Sequence, residues 1–259
     1  MLHQAIAHHV PDQPPHWSDY VVDQQWGRFS DDDHAVWDLL FTRQVELLGT
    51  RVVTPFLDGL DLLALSKPGV PELGELNRQL EPRTGWRTVA VEGLVPDDAF
   101  FAMLTERVFP IGNFIRRRAE LDYLEEPDCF HDIFGHVPMI ADADMARLME
   151  QVGRLGTAAI AAGRGDEMAR LYWHSAEFGL ALEGGEMKIL GAGLASSFGE
   201  AHFSLESETV QRRRFEVSAA MATPYKHDSF QRLYMVSDSL AATSVVICAL
   251  DPAMFSASA

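Results

Sequence analysis

The chain has 259 residues, 47% of them hydrophobic, and 38 Asp and Glu against 21 Lys and Arg leave a net charge of -17. That apolar content, with no run of eighteen apolar residues, predicts one large soluble domain and excludes a membrane-spanning helix. The acidic balance excludes a surface that gains affinity by releasing phosphate counterions, so neither nucleic acid nor an anionic membrane is an expected partner.

Residues 1–28 carry His3, His8, His9, Trp17 and Trp26 among prolines without sustained periodicity, which predicts an irregular N-terminal arm. A first helix starts at Ser30 as N-cap, with Asp31, Asp32 and Asp33 in its first turn and Gly49 as its stop. Pro55 to Leu65 and Pro71 to Leu80 read as short helices. Trp86 to Val91 reads as a strand, and Pro96 starts a helix through Phe100 to Leu104. Met145, Leu148, Met149 and Val152 follow helical spacing, capped by Asp142 or Asp144. Beyond the loop at Gly163 and Gly165, a helix is expected from about Asp166 to Leu182 and a strand at Met187 to Leu190. A small-residue turn at Gly191 to Ser197 and a helix from about Glu208 to Met221 follow. The pattern predicts a mainly α fold with short β strands: a catalytic domain over 29–245 and a tail over 246–259. Two cysteines, Cys129 and Cys248, and no signal-like start predict a reducing cytoplasm, with both thiols as small buried hydrophobes.

The chemistry concentrates in Glu126-Pro127-Asp128-Cys129-Phe130-His131-Asp132-Ile133-Phe134-Gly135-His136-Val137-Pro138. On an ideal α-helix His131 and His136 would lie about 140° apart, so they converge only if the helix ends or bends, for which Gly135 and Pro138 supply reasons. The spacing weighs against the H-E-x-x-H peptidase pattern, which also needs a glutamate absent here. Glu177 lies among Tyr172, Trp173, Ala176, Phe178 and Leu180, where an ionised carboxylate is costly unless a partner charge compensates it. Two imidazoles and one carboxylate on one face of a metal are the donor set of a non-haem Fe(II) centre that activates O2. A zinc hydrolase using the same three ligands and a metal-bound water is the alternative.

Taken with Leu121-Asp122-Tyr123-Leu124, Leu171-Tyr172-Trp173, Glu177-Phe178-Gly179-Leu180, Gly191 to Glu200 and Asp228-Ser229-Phe230-Gln231, these motifs resemble the pterin-dependent aromatic amino acid hydroxylases from about Trp86 to Ser239, and most of all the short bacterial phenylalanine hydroxylases. The resemblance implies a single catalytic domain of that type, with Fe(II) on His131, His136 and Glu177 and a tetrahydropterin as co-substrate. The pterin would stack on Phe100, meet the backbone of Gly93, Leu94 and Val95, and be reached by Asp132 through water. Tyr172 matches a tyrosine near the iron, and Ser196 a serine that holds the first histidine and the amino acid. Arg116 matches the arginine that binds the substrate carboxylate, a pairing suited to a guanidinium fork. Pro127, Trp173, Phe178 and Gly193 would wall the substrate, and His227 falls near the substrate-selecting position. Trp173 implies phenylalanine or tyrosine rather than tryptophan as substrate. The implied reaction is ring hydroxylation of L-phenylalanine to L-tyrosine with O2 and tetrahydropterin; because His227 departs from the usual aliphatic residue, hydroxylation of another aromatic amino acid or ring position is the alternative. With no regulatory or tetramerisation segment matched, a monomer is expected. A catalytically inactive relative is the remaining reading, against which the intact triad argues.

Overall fold

The three aspartates after Ser30 do what the first turn of a helix rewards. Ser30 accepts the Asp33 N–H while the Asp33 carboxylate accepts the Ser30 N–H, and the helix runs Asp31–Leu48. This arrangement comes from a computed structural model that describes residues 16–122 and 126–256. Residues 1–15 of the expected arm, Tyr123 and Leu124 of the quoted motif, and residues 257–259 of the expected tail lie outside the described residues. The described residues are 57% helical with 13% strand, and among them no helix is long and apolar enough to cross a membrane.

Two small sheets frame the helices. Strands β1 (Val21–Val22), β2 (Arg87–Val91) and β3 (Val108–Gly112) form the first, with β1 antiparallel and β3 parallel to β2. The β2–β3 crossover holds the helix Asp97–Thr105, so β3 ends at Gly112 beside the histidine segment. The second sheet runs β5-β4-β7-β6, from β4 (Leu180–Glu183), β5 (Glu186–Ile189), β6 (Gln211–Arg214) and β7 (Leu233–Ser237). Gly184 and Gly185, both at positive φ (60° and 86°), make the β4–β5 hairpin turn. The helix Ala143–Ala161, capped by Asp142, buries Met145, Leu148, Met149, Val152 and Leu155 in the core between the sheets and the remaining helices. From the expected arm, Trp17 is buried and β1 is paired; at the other end Phe255 is buried under the Arg164 guanidinium, 4.9 Å from its ring centre.

Four expectations need correction. The helix expected over 166–182 is α-helical only over Gly165–Tyr172, changes to a π-helix over Trp173–Glu177, and gives way to β4, because Leu180 and Ala181 pair with β5 and β7. The helix expected over 208–221 is β6 followed by a short helix, Val217–Ala222, because Gln211 to Arg214 pair in parallel register with Leu233 to Val236. Ala192–Ser196, expected as a turn, is helical. Cys129 is buried as expected, whereas Cys248 is exposed, at the solvent side of the helix Leu240–Cys248.

Candidate metal centre

Both segments that carry the expected ligands are π-helical: His131–His136 and Trp173–Glu177. A π-helix bonds i to i+5, so residues five apart stand one turn above each other. The bend expected between the histidines is therefore a widening of the helix, and it brings His131 and His136 to one face with ring centres 5.2 Å apart. Gly191 and Gly193 allow the neighbouring helix Ala192–Ser196 to close on the second π turn: a Cβ on Gly191 would stand 2.2 Å from the Glu177 carbonyl oxygen, and one on Gly193 2.8 Å from the Phe178 ring. Side-chain donor atoms of His131, His136 and Glu177 lie within 4.8 Å of one another. His136 Nε2 is 2.9 Å from Glu177 Oε1, and His131 Nε2 is 3.8 Å from Glu177 Oε2.

The electrostatics suit a cation. Burial holds the His131 imidazole down at about 4, with the neighbouring His136 acting the same way, so the ring is neutral at pH 7. Burial works to raise Glu177, but His136, His131 and the Tyr172 hydroxyl outweigh it and keep the carboxyl at about 2. Glu177 is thus a buried anion, and among the described residues no Lys or Arg pairs with it. Ser196 settles which nitrogen of His131 is free. Its single hydroxyl hydrogen goes to the Ala192 carbonyl at 2.9 Å, so at 2.8 Å its oxygen accepts the His131 Nδ1–H, leaving the Nε2 lone pair towards Glu177. Two imidazole nitrogens and one carboxylate fit a divalent first-row metal.

Arg116 is buried, and Asp128 takes one side of its fork: Nε and Nη2 each lie 2.8 Å from an Asp128 oxygen. The carboxylate expected from the substrate therefore has the Nη1 side left to it, where the one contact among the described residues is a long one of 3.5 Å to the Leu121 carbonyl. Asp128 also accepts the backbone N–H of Arg116 and of His131, tying the cation to the histidine turn through one carboxylate. Asp132 accepts the Gly112 N–H at 2.7 Å, and burial pushes its carboxyl up to about 7. Tyr172 lies parallel to His136 at 6.3 Å and meets Phe100 edge-on at 5.4 Å; burial and Glu177 push its phenol well up. In the 93–95 loop, Leu94 is exposed, its N–H bonds Glu126 at 3.2 Å, and Val95 packs near Trp17. Trp173 stacks on Phe178 at 4.4 Å, and Pro127 is half-buried.

Sequence reasoning passed over three residues of this site. Asp128 is wholly buried; its signal was an acid set between Pro127 and an apolar run. Glu126 touches the Gly93–Leu94 backbone, and Tyr225 stacks on Trp173; neither carries a local signal. His227 is exposed, two residues beyond Tyr225. Of the other histidines, His174 is buried and bonded to the Thr223 carbonyl, His34 accepts the Val70 N–H, and His202 is a surface residue beside Glu206.

The family model described as biopterin-dependent aromatic amino acid hydroxylase matches residues 24–248. The chain is 45% identical over 222 residues to the phenylalanine-4-hydroxylase of Caulobacter vibrioides, covering 86% of this chain and 76% of that one. Against the phenylalanine-4-hydroxylase of Chromobacterium violaceum it is 42% identical over 222 residues, covering 86% and 75%. The crystal structure of the Chromobacterium violaceum enzyme with bound iron(III) and 7,8-dihydrobiopterin superposes with a TM-score of 0.86 at 41% identity, over 89% of this chain and 84% of that one.

Proposed function

This chain belongs to the biopterin-dependent aromatic amino acid hydroxylases, and from that membership we propose which of its residues do the work in hydroxylating L-phenylalanine to L-tyrosine with O2 and a tetrahydropterin. It is a pterin-dependent non-haem iron monooxygenase. The observation that carries the assignment of the site is the buried, ionised Glu177 facing two imidazole nitrogens with no Lys or Arg against it among the described residues.

His131, His136 and Glu177 hold the iron, and Ser196 keeps His131 in the tautomer that presents Nε2. With iron(II) and a tetrahydropterin bound, the chemistry supplied there is reductive activation of O2 and insertion of one oxygen atom into the aromatic ring. The protein's own residues bind, orient and dry the reactants. Arg116, braced by Asp128, takes the amino acid carboxylate on its remaining N–H groups. Pro127, Trp173, Phe178 and Gly193 wall the ring and exclude water, with His227 near the end of that wall. The pterin would be held by Phe100, by the backbone of Gly93, Leu94 and Val95, and through water by Asp132, whose carboxyl the Gly112 N–H fixes. Tyr172 packs between Phe100 and His136, where its hydroxyl helps to keep the Glu177 carboxyl ionised.

The catalytic unit spans 29–245 and works as a monomer in the cytoplasm, without nucleic-acid or membrane partners, in keeping with the net charge of -17. Incubating iron-loaded protein with a tetrahydropterin and each of phenylalanine, tyrosine and tryptophan tests the assignment. Tyrosine from phenylalanine, identified by mass and ring position, is the expected product. No pterin-dependent product from fully iron-loaded protein would overturn the assignment; a different ring position would move the preference to the alternative that His227 raises.

A further inference from the structure

Trp173 is held differently from an ordinary wall residue. Phe178 stacks on it at 4.4 Å and 24°, and Tyr225 at 4.1 Å and 13°. Two rings stacked so closely on one indole without contacting each other must occupy its opposite faces. Neither face is therefore open to a substrate ring, and what Trp173 can offer is its edge. The direction of that edge depends on the two rings that clamp it.

The clamp is braced on both sides. Phe178 cannot retreat, since it rests where a Cβ on Gly193 would stand 2.8 Å from its ring. Tyr225 sits in a segment fixed before and after it. The buried His174 donates its Nε2–H to the Thr223 carbonyl at 3.0 Å, and Gln231 donates its side-chain amide to the Lys226 carbonyl at 2.6 Å. Gln231 is itself anchored through its backbone N–H to the buried Glu200 at 2.8 Å, and Glu200 also accepts the Tyr234 hydroxyl at 2.7 Å. A half-buried ring on an irregular segment thus has a defined position that its own backbone would not give it. His174 lies next to Trp173 in the π turn, so the same turn carries the clamped indole and one anchor of the clamp.

We propose that Tyr225 is a positioning residue for the aromatic substrate: by covering the second face of Trp173 it sets the indole edge that meets the substrate ring. The proposal rests on the reading of Trp173 as a wall of the phenylalanine site. Tyr225 acts through its ring face, so the hydroxyl is dispensable.

The experiment uses the full iron-loaded chain and compares Tyr225→Phe and Tyr225→Leu, each also in a Trp173→Leu background. L-phenylalanine affinity is measured by calorimetry, and KM for phenylalanine, KM for the pterin and tyrosine formed per pterin oxidised come from turnover. Tyr225→Phe is expected to stay within about twofold of the parent, and Tyr225→Leu to raise Kd and KM for phenylalanine by about three- to tenfold, the range of one lost aromatic stack, with pterin KM and iron content unchanged. In the Trp173→Leu background Tyr225→Leu should add nothing, because the residue through which it acts is gone. Parent-like phenylalanine affinity in Tyr225→Leu, or an equal further loss in the Trp173→Leu background, overturns the proposal. Should Tyr225→Leu lose its cooperative thermal transition, Tyr225→Met is read by the same criteria. A parent protein that binds phenylalanine but forms no pterin-dependent product defeats the hydroxylase assignment and leaves the affinity comparison to decide on Tyr225.

Discussion

Substituting Asp128→Asn keeps the size of the side chain and removes its charge, at a point where four donors converge. The Asp128 carboxylate is fully buried and accepts the backbone N–H groups of Arg116 and His131 and two guanidinium N–H groups, all between 2.8 and 3.0 Å. Asparagine brings one oxygen and an amide that turns two donors towards the Arg116 fork. Arg116, only 8% exposed, is left as a buried charge with no counter-ion. Breaking such a pair costs about 3–5 kcal/mol, a large part of the roughly 5–15 kcal/mol that holds a domain together. At about 2–4 °C per kcal/mol for a chain of this size, thermal unfolding should fall by roughly 6–20 °C, and KM for phenylalanine should rise because Arg116 loses its brace. Scanning calorimetry and steady-state turnover read the two effects. The double variant Arg116→Met with Asp128→Asn separates them: with the guanidinium gone no buried charge is left uncompensated and the amide oxygen still serves the backbone N–H groups, so part of the stability should return while phenylalanine binding stays weak. An Asp128→Asn protein that melts within about 2 °C of the parent and keeps its KM would refute the buried-pair argument.

The other predictions bear on the iron face and on pH. Ser196→Ala removes the acceptor for the His131 Nδ1–H, and iron affinity measured by competition with a chelator should drop about 10–100-fold with little change in melting temperature; unchanged affinity would mean that the ring is oriented by packing alone. Gly191→Ala puts a methyl group 2.2 Å from the Glu177 carbonyl oxygen, with only backbone around it to yield, so a loss of at least about 1–3 kcal/mol and iron-poor purified protein are expected. Glu200, buried with its Oε1 receiving Gln231 N–H and Tyr234 O–H, has its carboxyl raised above the usual range by burial. With the folded pKa above the unfolded one, its contribution to stability is complete below the ordinary carboxylate range and is lost as pH rises through the raised value. Denaturant titrations from pH 4 upwards should therefore show Glu200→Gln gaining on the parent as pH rises and then running parallel; a constant difference across the range would contradict this.

Elements whose signals are local were legible in the residues. Ser30 with Asp31 to Asp33 and Asp142 before an apolar stripe mark helix starts, because caps and 3.6-residue periodicity depend on neighbours a few positions away. The reading ran too far at Leu180, where the apolar pattern continues but the backbone joins a sheet, and at Gln211 to Arg214, a polar strand that exists only because β7 lies beside it. Parallel pairing joins segments some twenty residues apart for β6 and β7 and some fifty-five apart for β4 and β7, so no local window contains it. In the site, an acid among apolar residues pointed to Glu177 and a matched motif to Ser196, whereas Tyr225 depends on a stack between distant segments.

By itself the sequence determined the donor set: two histidines five apart, a carboxylate that has to be compensated among aromatic neighbours, and an overall charge unsuited to polyanions. Tertiary structure decided whether that set could meet. On an α-helix His131 and His136 diverge, and they share a face because the segment widens to a π-helix beneath a second π turn carrying Glu177, with Gly191 and Gly193 letting the next helix close on it. A widened turn has poorer internal packing than an α-helix and persists where its surroundings hold it. That support comes from segments some forty to sixty residues away, which residue spacing alone does not contain.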